Sequence, residues 1–195
     1  MSTPIDHDAA SALHARSFLR LSRLLHALTW GCGLLSTAFS LARWWWLGQG
    51  GGPGWFLPVQ ALQAGINLSQ PLAWPWPLVG LAVEALPLAS LLYTLLTLHR
   101  ICAAFLRGQA FSADLSGRFR QLGWGFVAMA VTHVVYGGAV TALLSWLASG
   151  QHGGVLALSV GSFELSLLMV GVMMLLLAQV MAEGHRLQTE SEQFV

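Results

Sequence analysis

Long uncharged runs alternate with short polar breaks along the whole chain. Uncharged or nearly uncharged runs extend from Leu24 to Ala42, from Leu78 to Leu98, from Leu122 to Leu147 and from Val155 to Ala182. An α-helix needs about 20 such residues to cross a bilayer core of roughly 30 Å at 1.5 Å per residue. The pattern therefore predicts four membrane-spanning helices, at about residues 24–43, 78–98, 122–147 and 155–182.

The composition narrows the class of protein. Of the 195 residues, 55% are hydrophobic and only 9% are charged, and the mean hydropathy is +0.64. Soluble domains carry about a quarter charged residues, and disordered chains have low hydropathy. We therefore expect an all-α integral membrane protein, a four-helix bundle that forms one membrane domain over residues 1–195.

The first run has a second interpretation, as a cleaved signal peptide, because three arginines precede it. Its nineteen residues exceed the usual apolar region of a signal peptide. Arg43 and the triplet Trp44, Trp45 and Trp46 follow it directly. Tryptophans at the end of a span are typical of a membrane interface, so the features favour a retained span.

The arginines predict the orientation. Eight of the nine basic residues, all of them arginine, fall on one side of the predicted spans, and only Arg43 falls on the other. The positive-inside rule then places both termini and the central connection in the cytoplasm. The eight are Arg16, Arg20, Arg23, Arg100, Arg107, Arg118, Arg120 and Arg186. A net charge of +1 with scattered arginines predicts no direct nucleic-acid binding.

The connections differ in character. Residues 1–16 predict a flexible N-terminal tail, and residues 183–195 predict a cytoplasmic tail. Residues 44–76 form a long outer loop rich in glycine, proline and tryptophan, either a ligand-binding loop or an aromatic connector at the membrane surface. Its middle, residues 55–68, predicts a short interfacial helix or a pair of strands. In the central connection, Ser112 is the expected N-cap of the third helix.

Two carboxylates inside the apolar runs are the sharpest chemical feature. Glu84 and Glu164 lie at a similar distance from the outer ends of their predicted spans, roughly 10–14 Å. His133, with Tyr136 three residues later, is expected to join them in a site for a ligand or a proton. The alternative is a pair of protonated carboxyl groups, each hydrogen-bonded to a nearby hydroxyl of Ser90, Ser162 or Thr141 or to a backbone carbonyl.

Other chemistries find little support. The chain has no HxxxH or HExxH spacing for a metal, no GxSxG nucleophile motif and no phosphate-binding loop. Cys32 and Cys102 are expected at different depths of different helices, so they do not form the close pair that disulfide redox chemistry needs. The candidate ligands for a haem, His26 and His99, fall near the inner boundary beside arginines. We therefore predict no catalytic residue, no metal and no cofactor.

The cytoplasmic face offers two small elements for a partner. The central connection presents basic residues and the tail presents carboxylates, although a solvated helix end explains such a charged run equally well. Glycines inside the spans allow close helix packing, either within the chain or in a homo-oligomer. The expected partner-binding residues are Arg107, Arg118, Arg120, Glu183, Glu190 and Glu192.

Two motifs resemble a known family. One is Arg-Gly-Gln-Ala-Phe-Ser at residues 107–112, followed by Arg-Phe-Arg-Gln-Leu-Gly at residues 118–123. The other is Leu-Ala-Gln-Val at residues 177–180, followed by Gly184, Leu187, Glu190 and the final Val195. The chain thus resembles, from the first span to its end, the uncharacterised bacterial four-span membrane proteins called domain of unknown function 2975. Members often have asparagine where this chain has Leu115.

The resemblance implies no established activity or catalytic residues. Some members are encoded beside a small helix-turn-helix regulator, which implies membrane control of a transcription factor. Together with the residues, it predicts a non-enzymatic sensory or regulatory partner of a cytoplasmic protein. The alternative is a small proton- or cation-coupled transporter that uses the intramembrane carboxylates, although four spans without an evident inverted repeat argue against it.

Overall fold

The residues that the structure describes fold into five helices. The computed structural model describes residues 5–50, 57–66, 71–106, 113–149, 154 and 156–192. Within these ranges there is no strand, so the all-α prediction is confirmed, and the middle of the predicted outer loop is a short helix rather than a pair of strands. The helices are α1 (Ile5–Gln49), α2 (Val59–Gln63), α3 (Trp76–Leu106), α4 (Ala113–Ala148) and α5 (Ser162–Glu192).

Three of the helices are long and apolar enough to cross a membrane. The segments are Trp76–Ala104 in α3, Asp114–Ala148 in α4 and Ser162–Leu187 in α5. They correspond to the second, third and fourth predicted spans. The first predicted span lies inside α1. Helices of this kind place the chain among membrane proteins, with lipid against their apolar faces.

The long helices pack in the order in which they follow one another in the chain. Within the described residues, α4 packs extensively against α5 and α3, and α3 packs against α1. Contact between α1 and α5 is marginal at most, and α2 packs on α4. The arrangement is therefore a row of four helices rather than a closed ring.

Small residues allow the helices of this row to approach closely. Where α4 crosses α5, a Cβ atom on Gly171 would lie 3.0 Å from the carbonyl oxygen of Gly123 and 2.9 Å from the side chain of Val127. Where α1 crosses α3, the indole ring of Trp44 lies directly against the backbone of Gly80. A side chain at Gly80 or Gly171 would push these helices apart.

The buried and exposed faces of α1 are reversed relative to a soluble protein. Its buried positions include Thr29, Gly33 and Ser40, while Leu34 and Leu35 are 68% and 73% exposed. The same reversal occurs on α5, where leucine, methionine and valine side chains are exposed along the helix. Such faces suit contact with lipid, because lipid tails are as apolar as these side chains.

Predicted and observed boundaries differ in several places. α1 begins at Ile5, within the residues 1–16 for which a flexible tail was predicted, and the alanines of this stretch favour a helix. The last helix, α5, begins at Ser162, seven residues after the predicted start of the fourth span. Residues 156–161 are not helical because Thr141, buried on α4, accepts a hydrogen bond from the main-chain N–H of Ala157 at 3.2 Å. That contact holds the segment against α4.

The two ends of the helix row have different character. At one end, where α3 ends and α4 begins, Arg118 donates a hydrogen bond to the carbonyl oxygen of Arg100 at 3.0 Å; we call this the arginine end. A buried cluster that contains Ile101, Leu115 and Leu122 packs beneath it. The expected N-cap Ser112 lies outside the described residues, but α4 begins one residue later, as predicted. At the opposite end, α2 lies beside α4.

Candidate functional site

A cavity of about 740 Å³ lies at the end of the helix row opposite the arginine end. This volume is within the range of about 300–1,000 Å³ that is typical of small-molecule sites. Side chains from all five helices line it, together with the segment that precedes α5. Among the described lining residues the ionisable ones are Arg43, Glu84, His133, Tyr136 and Glu164. All four residues predicted from the sequence as a ligand or proton site therefore line one cavity.

Glu84 is held by two residues of α1. Its Oε1 accepts a hydrogen bond from Arg43 Nη1 at 3.2 Å, and its Oε2 accepts one from Trp44 Nε1. The same Arg43 nitrogen donates to the hydroxyl of Tyr136 at 3.3 Å. The side chains of Arg43 and Glu84 are only 17% and 13% exposed. Each charge therefore depends on the other for stability in an environment with little water.

Arg43 has further contacts around its guanidinium group. Its Cζ lies 4.9 Å from the centre of the Phe39 ring, one helical turn earlier on α1, in a cation–π arrangement. Its Nε is buried and has no hydrogen-bond partner among the described residues, and the same is true of Ser40 Oγ. The guanidinium thus joins α1, α3 and α4 at one point of the cavity wall.

Glu164 joins α4 to the start of α5. Its Oε1 lies 2.7 Å from His133 Nδ1, and its Oε2 accepts a hydrogen bond from the main-chain N–H of Gly161 at 2.7 Å. A glutamate at the third position of a helix commonly reaches back to the N-cap residue in this way. The carboxylate therefore caps α5 and also contacts an imidazole on the neighbouring helix.

Aromatic and apolar side chains complete the cavity. The ring of Phe163 meets the ring of His133 edge to face, with centres 5.2 Å apart. Leu88, Leu91 and Met129 supply apolar surface from α3 and α4. Pro87 lies one turn after Glu84 within α3 and also lines the cavity. A proline has no N–H, so it removes one helical hydrogen bond at this place.

The structure revises how the two carboxylates relate to each other. They were expected at matching depth, but Glu84 lies two turns inside α3 and Glu164 lies in the first turn of α5. Each has its own basic partner, and α3 and α5 make at most marginal contact within the described residues. Two hydroxyls of the alternative interpretation are bonded elsewhere, since Ser90 donates to the Pro87 carbonyl oxygen at 2.8 Å and Thr141 to that of Gly137 at 2.9 Å.

Sequence reasoning missed Arg43 and Trp44 as members of this site. Both were interpreted as markers of the membrane interface. One signal for Arg43 was available, because it was the only arginine on its side of the predicted spans. A lone cation at the end of one apolar run and a lone carboxylate near the start of the next are natural partners in a low-dielectric environment.

The predicted partner-binding residues lie at or beyond the arginine end. Arg118 is paired with Asp114 at 2.7 Å and Arg120 is exposed. Glu183 and Glu190 are paired with Arg186 on the exposed end of α5, at 3.1 and 3.4 Å. Arg107 and the side chain of Glu192 lie outside the described residues.

Metal-ligating residues do not cluster in the described part of the chain: no group of three or more histidine, cysteine, aspartate or glutamate side chains there could hold a metal ion. Cys32 and Cys102 are free thiols, one exposed and one half-buried. The ionisable residues of the cavity are suited to binding a ligand and to exchanging a proton, through the imidazole of His133 and the carboxylates of Glu84 and Glu164.

The fold and the cavity define an all-helical membrane protein with a polar site enclosed by apolar helices. The chain belongs to the family described as "Protein of unknown function (DUF2975)", whose model matches residues 57–195. The resemblance noted in the sequence is thereby confirmed, although the match begins after α1, not at the first predicted span. Neither the curated proteins nor the solved structures contain a match to the chain.

Proposed function

We propose that the protein crosses a bacterial inner membrane four times, with both termini in the cytoplasm, and that α1 is the first span. The lipid-suited face of α1 supports this, since Leu34 and Leu35 are exposed on it while the buried positions of the helix include Thr29, Gly33 and Ser40. The position of the arginines supports the orientation, because Arg118 and Arg120 lie at the arginine end and Arg186 lies near the end of α5, whereas Arg43 lines the cavity at the opposite end. The cavity then opens in the outer half of the bilayer.

We further propose that the protein is a non-enzymatic sensory or regulatory partner of a cytoplasmic protein. A ligand in the outer cavity is sensed, and the change reaches the cytoplasm through α5. The family resemblance suggests a helix-turn-helix regulator as that partner.

One observation carries this proposal: the carboxylate of Glu164 contacts both His133 on α4 and the first turn of α5. A ligand or proton that competes for this carboxylate alters the attachment of α5 at its cavity end. The helix that Glu164 caps is 31 residues long, about 46 Å in all, and carries the paired carboxylates near its exposed end. A rigid helix of this length transmits a shift from one side of the bilayer to the other.

Photo-crosslinking in intact cells tests the proposal. A photoreactive amino acid replaces Arg120 at the arginine end, or Glu190 at the end of α5, and the matched control replaces Met173, an exposed residue of the lipid-suited face of α5. We expect a cytoplasmic protein to be crosslinked at the first two positions and not at the third. The yield should change when Glu164→Gln is added. The proposal fails if the two test positions capture no cytoplasmic protein, or if Met173 captures the same one.

The second candidate, a proton- or cation-coupled transporter, is favoured by the presence of carboxylates in a cavity at membrane depth. Proteoliposomes that contain the protein and a pH-sensitive dye test it. Proton or cation flux that exceeds that of empty liposomes and is lowered by Glu84→Gln or Glu164→Gln would support transport. Flux that these substitutions leave unchanged would remove the proposed role of the two carboxylates.

A further inference from the structure

We propose that the cavity binds a lipophilic organic cation, a bulky apolar molecule with one positive charge, beside Glu164. The ligand enters from the bilayer between α1 and α5. The inference rests on the proposed use of the cavity as a ligand site, but it does not require a cytoplasmic partner.

The charges that line the cavity favour a cation. Arg43 and Glu84 form an ion pair at 3.2 Å, so their charges largely cancel. Glu164 has only the imidazole of His133 as its basic partner, and with that imidazole neutral the lining has a net charge of −1. Water screens such a charge poorly inside a membrane protein, so a monovalent cation gains and an anion of the same shape loses.

The uncharged lining favours a bulky, apolar ligand. Phe163, next to Glu164, offers an aromatic ring to a cation, and Phe39 lies on the α1 side of the same cavity. Leu88, Leu91 and Met129 provide an apolar wall for the rest of the molecule. A small hydrated ion would leave much of a cavity of about 740 Å³ unfilled.

The packing of the helices favours entry from the membrane. The row of helices leaves α1 and α5 with at most marginal contact within the described residues, and both contribute side chains to the cavity. The aromatic side chains on the two sides of this gap, Phe39 and Phe163, are 39% and 52% exposed. A ligand dissolved in the bilayer therefore reaches Glu164 without crossing a packed helix interface.

A proton should compete with the cation. Protonation of His133 or Glu164 brings the net charge of the lining from −1 to zero and so removes the attraction. The other titratable or charged groups of the cavity are Tyr136 from α4, Glu84 from α3 and Arg43 from α1, while the described lining residues of α2 are uncharged. Binding of the cation should therefore weaken as the pH falls.

Two probes of nearly identical shape and opposite charge test the proposal: tetraphenylphosphonium and tetraphenylborate. Binding to the purified full-length chain in a neutral detergent is measured by equilibrium dialysis against protein-free micelles. We expect saturable binding of tetraphenylphosphonium and binding of tetraphenylborate that is weaker by about tenfold or more. Glu164→Gln should lower the affinity for the cation by about tenfold, because it removes the carboxylate that gives the lining its net negative charge.

The matched control is Glu183→Gln, which removes a carboxylate from the exposed end of α5 and should leave the affinity unchanged. Phe163→Ala supplies a second variant that does not alter the capping of α5, and it should also weaken the cation. Equal affinity of the wild-type chain for the two probes would overturn the proposal, and so would cation binding that Glu164→Gln and Phe163→Ala both leave intact.

Failure of this inference is distinguishable from failure of the proposed function. Crosslinking of a cytoplasmic protein at Arg120 or Glu190 together with equal binding of the two probes would remove the ligand class alone. Selective binding of tetraphenylphosphonium without any crosslinked protein would remove the regulatory partner and retain the cation site.

Discussion

The ion pair between Arg43 and Glu84 allows the energetics of the cavity to be tested quantitatively. Among the described residues, replacement of Glu84 by leucine leaves the guanidinium of Arg43 with the hydroxyl of Tyr136, at 3.3 Å, as its hydrogen-bond partner. Replacement of Arg43 by leucine leaves the carboxylate of Glu84 with only the N–H of Trp44. Each single change therefore isolates one charge in a largely apolar environment.

The expected magnitude follows from burial. Removal of one partner of a buried pair destabilises a protein by about 3–5 kcal/mol. The side chains here retain 17% and 13% exposure and line a cavity, so we take the lower end, about 3 kcal/mol for each single variant. The double variant, Arg43→Leu with Glu84→Leu, removes both charges and should be less destabilised than the sum of the singles by about 2–3 kcal/mol.

Reversible unfolding in mixed detergent micelles, followed by tryptophan fluorescence and by helical circular dichroism, measures these free energies. Arg186→Leu serves as the control because that side chain is 64% exposed in its ion pairs, and it should change the stability by less than about 0.5 kcal/mol. If Glu84→Leu destabilises no more than Arg186→Leu, or if the two single effects simply add in the double variant, then Arg43 and Glu84 do not stabilise one another.

Three other changes test the fold and its orientation. Gly171→Ala should destabilise the α4–α5 crossing by about 1–3 kcal/mol. The control is Gly184→Ala, whose new methyl group meets nothing within 4 Å and should not destabilise the protein. Similar unfolding midpoints for the two variants would contradict the close crossing. Thr141→Val leaves the half-buried main-chain N–H of Ala157 without this acceptor and should lower stability by about 1 kcal/mol, with Thr141→Ser as the variant that restores it. A cysteine that replaces Ala64 should react with a membrane-impermeant maleimide in whole cells, and one that replaces Arg120 should react only after the cells are opened; the reverse result would invert the proposed topology.

The helices could be predicted because few other secondary structures satisfy the backbone hydrogen bonds of a long apolar segment in a bilayer. The second predicted span began two residues from the start of α3, and the site residues Glu84 and Glu164 stood out because charged residues are rare in such runs. Hydropathy depends on composition alone, however. It therefore could not separate the helical part of the fourth run from residues 156–161, which are equally apolar and are held instead by Thr141.

The pairing of Arg43 with Glu84 was not predictable for a different reason. It depends on how α1 and α3 are rotated about their axes, and that rotation is set by the contact of Trp44 with Gly80. The sequence shows which residues are unusual within a span, but not which face of a helix meets its neighbour. For the same reason, the sequence did not show that Glu84 and Glu164 each have a separate basic partner, Arg43 and His133.

The order of the helix row bears on how the protein is made. If the long helices enter the bilayer one after another, α3 packs on α1, α4 packs on α3 and α5 packs on α4. Each new helix then docks on the long helix inserted just before it. Arg43 then enters the membrane region before its carboxylate has been synthesised, and it is neutralised only when α3 arrives. Substitution of Glu84 should therefore impair membrane insertion as well as the stability of the finished fold, because Arg43 would have no carboxylate partner when α3 is inserted.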